Sequence, residues 1–188
     1  MFSFRNIAAS VLALAISAQA QNTVTFVSTD SVDRTIYITP SEGVEGMDPV
    51  TVAAGATVAV NFASGFIGNA YAVQSGAENT PGMLAEVNFQ GWGGMTYFDV
   101  SAIVNPNDVD NVRLMYPAAS PNTPISGCDP FPCNNAYYLP DDVQTKVTDQ
   151  TNIIVTLGGG SSNATTKRDI NNSNNGKNYP RNLVENRY

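Results

Sequence analysis

The sequence predicts an all-β fold, an antiparallel β-sandwich, and three observations point there. Short runs rich in β-branched and aromatic residues recur from Thr23 to Leu157, divided by Gly, Pro, Asn and Asp. Most of these runs alternate polar and apolar residues, the period of a half-buried strand. No stretch sustains a helical period over three turns. Many short strands at regular spacing close into a sandwich or barrel.

Taken in order, strands are expected at 23–28 (TVTFVS), 35–39 (TIYIT), 50–53 and 57–62. The last two flank Ala53-Ala54-Gly55-Ala56, which reads as a hairpin turn. Further strands are expected at 70–74 (AYAVQ), 84–89, 96–104, 112–116 and 152–157.

The two ends differ in kind from this body. Residues 1–20 have the form of a secretory signal peptide: Arg5, an apolar run over 7–16, then Ala18-Gln19-Ala20. That run is too short to span a bilayer, which needs roughly 20 residues. A secreted protein of the extracellular space or cell wall is expected, with no membrane partner. The domain proper is expected over 21–160. Residues 161–188 are rich in Gly, Ser and Asn, and such a segment cannot offset its ordering entropy, so a disordered tail is expected. It carries two N-glycosylation sequons, at Asn163 and Asn171, and the dibasic pair Lys167-Arg168, a candidate processing site.

Charge and composition exclude several chemistries. From 21 to 160 there are fourteen acidic against three basic residues (Arg34, Arg113, Lys146), a balance of −11. Nucleic-acid affinity comes largely from Lys and Arg neutralising phosphates, so no nucleic-acid partner is expected. Histidine is absent from all 188 residues, which removes His-based nucleophilic catalysis and imidazole metal sites. No cofactor is expected, and a monomer is. Cys128 and Cys133, in GCDPFPCNN, read as a small local disulfide of a secreted chain. The cluster Asn105-Pro-Asn107-Asp108-Val-Asp110-Asn111 lacks the EF-hand spacing and reads as turn-forming.

What remains for catalysis is carboxylates, and glycoside hydrolysis needs only those. Pairing 84–90 with 95–102 around Gly91-Trp92-Gly93-Gly94 sets Glu86 opposite Asp99, since both the turn and the two acids centre on 92.5. Alternation puts Phe98, Val100, Ala102 and Val104 on an apolar side and Tyr97, Asp99 and Ser101 on the other. Opposed like charges destabilise a ladder and would raise one pKa, so the pair calls for a reason: a working acidic site, or else two solvated or salt-bridged surface charges. Glu86 and Asp99 are therefore the candidate acids, with Trp92 and Tyr97 beside them as candidate sugar-stacking residues. A glycine-rich turn can carry a bulge that shifts this register by one residue.

The segment MLAEVNFQGWGGMTYFDVSAIVNP resembles the centre of thaumatin-like proteins, where a Leu-Ala-Glu strand leads into Tyr-x-Asp-(Val/Ile)-Ser. The chain also resembles a group of secreted fungal proteins sharing Gly-Cys-x-x-Phe-Pro-Cys and Tyr-Tyr-Leu-Pro-Asp-Asp-Val-Gln-Thr, some carrying a deoxyribonuclease name. The likeness implies a thaumatin-like sandwich with an acidic cleft that binds or weakly hydrolyses β-glucan. Glu86 and Asp99 match two of that cleft's acids. A third falls on Val104, and the arginine expected before Gly55 is replaced by Gly-Met-Asp-Pro-Val. The function expected is thus binding of cell-wall polysaccharide or an extracellular protein, without catalysis. A weak β-glucanase is the alternative, and a nuclease a third.

Overall fold

The structure, a computed structural model, describes residues 21–121 and 123–159. The expected signal peptide, the tail, both sequons and the Lys167-Arg168 pair lie outside the described residues.

Eleven strands are present among them. They are β1 (Asn22–Ser28), β2 (Arg34–Pro40), β3 (Val50–Val52), β4 (Thr57–Phe62), β5 (Ile67–Gln74) and β6 (Leu84–Asn88). Then follow β7 (Thr96–Ser101), β8 (Val112–Pro117), β9 (Ser126–Gly127), β10 (Lys146–Thr148) and β11 (Asn152–Leu157). One sheet runs β4-β1-β11-β8-β9 and the other β10-β7-β6-β5-β2-β3. All nine expected strands are found, and the all-β, two-sheet architecture is the one the alternation predicts. The two short strands β9 and β10 are additions, each held by a neighbour's ladder rather than by its own pattern.

One ladder departs from the antiparallel expectation. β1 and β11 pair in parallel, from Thr23↔Asn152 to Ser28↔Leu157. Parallel neighbours need a long crossover, and here the crossover is nearly the whole domain. The Gly55 turn departs too. It forms as a turn, with Ala56 N donating to Ala53 O at 3.0 Å and Gly55 at φ +65°. Yet β3 pairs with β2 and β4 with β1, so it is a corner between sheets, not a hairpin. Hydrogen bonds from outside the turn hold it: Ala54 N to Asp33 Oδ1 at 2.7 Å, and Ser28 N to Ala56 O at 2.9 Å.

Between the sheets, Val24, Phe26, Ile153, Val155 and Leu157 from one side belong to the same buried cluster as Ile36, Val87, Phe98 and Val100 from the other. Each large side chain buried there contributes roughly 1.5–3 kcal/mol. Phe62 packs edge-on against Phe66, centroids 4.7 Å apart, and tilted against Phe89 at 5.9 Å.

The loop 105–111 is organised by a cation rather than organising one. Arg34, 1% exposed, spends all five N–H donors on the protein. Two go to Asp30 at 2.7 Å each, and the others to Val32 O, Asp110 O and Asn111 Oδ1 at 3.1, 2.8 and 3.0 Å. Asn111 donates in turn to Asp108 Oδ1 at 2.5 Å, and Asp108 Oδ2 accepts from Met83 N at 2.8 Å. Asp108 reaches that amide because residue 82 is glycine; a Cβ there would collide with its carboxylate.

Candidate functional site

The β6–β7 hairpin is built as its glycines allow. Trp92–Gly94 forms one 3₁₀ turn, with Gly93 at φ +68° and Gly94 at +74°. Gly91 N donates to Met95 O at 2.8 Å, one residue off the symmetric closure, and Gln90 beside it takes φ +52°, yet the ladder beyond the loop carries no register shift. The ladder therefore runs Asn88↔Tyr97, Val87↔Phe98, Glu86↔Asp99, Ala85↔Val100, Leu84↔Ser101. Glu86 stands directly opposite Asp99, the register that symmetry predicts.

The environment of the pair is not the one expected. Glu86 is 2% exposed and Asp99 0%, and Tyr97 and Ser101 on the same face are buried with them. The covering piece is the segment 137–146. Tyr137 bridges in parallel to Ser101, Tyr137 N donates to Val100 O at 3.0 Å, and Ala102 N donates to Tyr137 O at 2.7 Å. Thr145 Oγ1 donates to Asp99 Oδ2 at 3.0 Å and lies 2.9 Å from the Tyr137 hydroxyl. Next to Thr145, Lys146 pairs with Phe98 and is itself 2% exposed. Burial pulls the Lys146 ammonium down to about 8, while the Asp99 carboxylate pulls the other way. β7 ends at Ser101, which leaves Val104 out of the expected strand and 55% exposed.

Two expectations are corrected by this burial. Tyr97 offers no ring face to a sugar: it is 1% exposed, and its hydroxyl donates to Trp92 O at 3.1 Å, pinning the turn from inside. Glu86 and Asp99 come together but as interior groups, with a cation and two hydroxyls in their cluster. As arranged they can hold the cover in place; a sugar ring and an attacking water have no exposed carboxylate to meet. Trp92, 78% exposed on the hairpin tip, is the candidate that stays on the surface. Sequence reasoning missed Tyr37 and Tyr71, half-buried cross-strand partners on β2 and β5 whose rings stack at 5.4 Å. The available signal was their non-core alternation within TIYIT and AYAVQ. The segment 137–146 stands out in the sequence for its Tyr-Tyr-Leu-Pro-Asp-Asp-Val-Gln-Thr motif, with Tyr137 and Tyr138 as candidate stacking residues, but its covering role was missed, since no periodicity marks such a strap.

Cys128 and Cys133 form a disulfide, Cα atoms 5.7 Å apart. Its loop rims a cavity of about 500 Å³ bordered by Asp110, Arg113, Asp129, Phe131 and Gly159. No group of three or more acidic or cysteine side chains able to hold a metal occurs among the described residues, and no helix there is long and apolar enough to cross a membrane.

These features define a small, acidic, two-sheet all-β protein whose opposed acids are interior groups. The chain is 52% identical over 142 residues to the antigenic protein SchS21 of Stachybotrys chartarum, a match covering 76% of this chain and 98% of that protein. It belongs to that family of small fungal proteins. The fold is similar to that of the protein elicitor MoHrip2 from Magnaporthe oryzae, with a TM-score of 0.59 at 16% identity, over 73% of this chain and 98% of that one. No family model matches the chain. Neither of these two proteins carries a thaumatin-like or deoxyribonuclease name.

Proposed function

We propose that the protein is a secreted, non-catalytic binding protein acting outside the cell on a cell-wall polysaccharide or another extracellular partner. One observation carries this reading. The two carboxylates on which any hydrolysis would depend are 2% and 0% exposed, and Asp99 accepts from Thr145, whose hydroxyl lies against that of Tyr137. A hydrolytic pair needs access for both sugar and water. Aromatic surface does remain open, at Trp92 and at the Tyr37–Tyr71 stack, where a pyranose face can lie. The antigenic name of the relative is consistent with a protein met by other organisms at its surface. The balance of −11 over 21–160 also disfavours a phosphate-backbone partner.

Sedimentation with insoluble β-glucan and with chitin tests the reading, run beside glucan-hydrolysis and plasmid-cleavage assays. Retention on one polysaccharide without turnover is expected, weakened about five- to tenfold by Trp92→Ala or Tyr37→Ala. Hydrolysis abolished by Glu86→Gln would instead establish the glucanase alternative, and would require the 137–146 cover to open.

A further inference from the structure

We infer that the cavity beside the Cys128–Cys133 loop is a binding site for a cationic amino sugar, such as one glucosamine unit of a partly deacetylated chitin. The inference rests on the polysaccharide reading above and narrows it. The cavity, about 500 Å³ and open to solvent, has the volume of a small-ligand cleft. Its framework is fixed on three sides. Cys128–Cys133 closes the loop that carries Asp129 and Phe131, and Cys128 N donates to Arg113 O at 3.1 Å. Asp110 is held through its carbonyl, which accepts from Arg34 at 2.8 Å, leaving its carboxylate for other work.

The chemistry follows from what these groups have left to offer. Arg113 is 6% exposed, with one Nη donating to Gly158 O at 3.2 Å and the other bound to Asp129. Its Nε finds no acceptor among the described residues. Asp129 keeps half of its side chain exposed, and Asp110 is exposed. The wall thus carries two carboxylates against one guanidinium, and Phe131 adds ring surface. A ligand with a positive charge satisfies the acidic excess, within a domain whose balance of −11 draws cations in. Ring surface beside carboxylates favours an ammonium further. The Arg113 donor asks for an acceptor close to that charge. A 2-amino sugar carries its ammonium and hydroxyl oxygens on adjacent ring carbons; a lysine side chain has only methylenes there. A neutral hexose would leave the acidic excess unanswered.

The test is an NMR titration of the full chain with four probes at low and high salt: a glucosamine hexamer, its fully acetylated counterpart, a β-1,3-glucose hexamer and a lysine hexapeptide. The expected result is binding of the glucosamine hexamer with amide shifts confined to 109–113 and 128–133, weakened by salt. Asp110→Asn, an exposed change that leaves the carbonyl bond to Arg34 in place, should weaken it about five- to tenfold. Phe131→Leu should weaken it by a similar factor. Equal binding of the acetylated hexamer, or shifts centred on Trp92, would overturn the assignment and leave polysaccharide binding standing. Tighter binding of the lysine peptide would overturn it in favour of a basic protein segment. No binding of any soluble probe would overturn it as well; retention on insoluble chitin or glucan then decides the broader reading independently.

Discussion

Arg34 and Lys146 are two buried cations with opposite economies. Arg34 has every donor satisfied, and its guanidinium beside Asp30 holds that carboxyl below its ordinary range. Arg34→Met should cost about 3 kcal/mol, because Asp30 and the carbonyls of Val32 and Asp110 lose their donor together. Urea denaturation of the two proteins checks it; a loss below about 1 kcal/mol would mean water replaces the guanidinium. Lys146 is different, since burial lowers it from its ordinary 10.5 to about 8. Between those values the unfolded chain binds a proton that the folded chain has released, so stability rises with pH. From pH 8 to 9.5 the gain should be about 1–2 kcal/mol. The hydroxyls of Tyr137 and Tyr138, pushed up by burial, oppose it only from about pH 10 upward. In Lys146→Met the rise should vanish, which denaturation at stepped pH measures directly.

The 137–146 strap is the element that converts an acidic hairpin into an interior. It covers the Glu86–Asp99 face by main-chain bonds at Val100 and Ala102 and by one hydroxyl chain, Tyr137 to Thr145 to Asp99. Thr145→Val keeps the shape and deletes the hydroxyl. It should cost about 1–3 kcal/mol, because a buried carboxylate oxygen and a buried phenol lose a partner at once. Faster hydrogen exchange at Ala102 and Tyr137, with β1 and β11 unchanged, would place that loss in the strap. Uniform loss across both sheets would mean the strap is inseparable from the core.

Across the whole domain, fourteen acidic residues face three basic ones, and the two arginines among those three are ion-paired with Asp30 and Asp129. Net repulsion of this size opposes the compact state. Adding salt from a few millimolar to physiological strength should therefore raise the melting temperature, by about 4 °C for a change near 1 kcal/mol. A melting point indifferent to salt would show that the charges are already compensated locally. The sequence by itself determined the nine main strands, the glycine-tipped hairpin and the Glu86–Asp99 register, because period-two alternation and a symmetric turn are local quantities. Its cysteine spacing likewise determined the 128–133 bridge. Only the tertiary structure decided that the Gly55 turn parts two sheets, that β1 and β11 lie parallel, and that the acid pair is covered. Each of those depends on contacts between segments far apart in the chain, such as Asp33 with Ala54, Thr23 with Asn152, and Thr145 with Asp99. Such contacts are selected by burial and hydrogen-bond satisfaction over the whole core, and leave no period in the residues that make them.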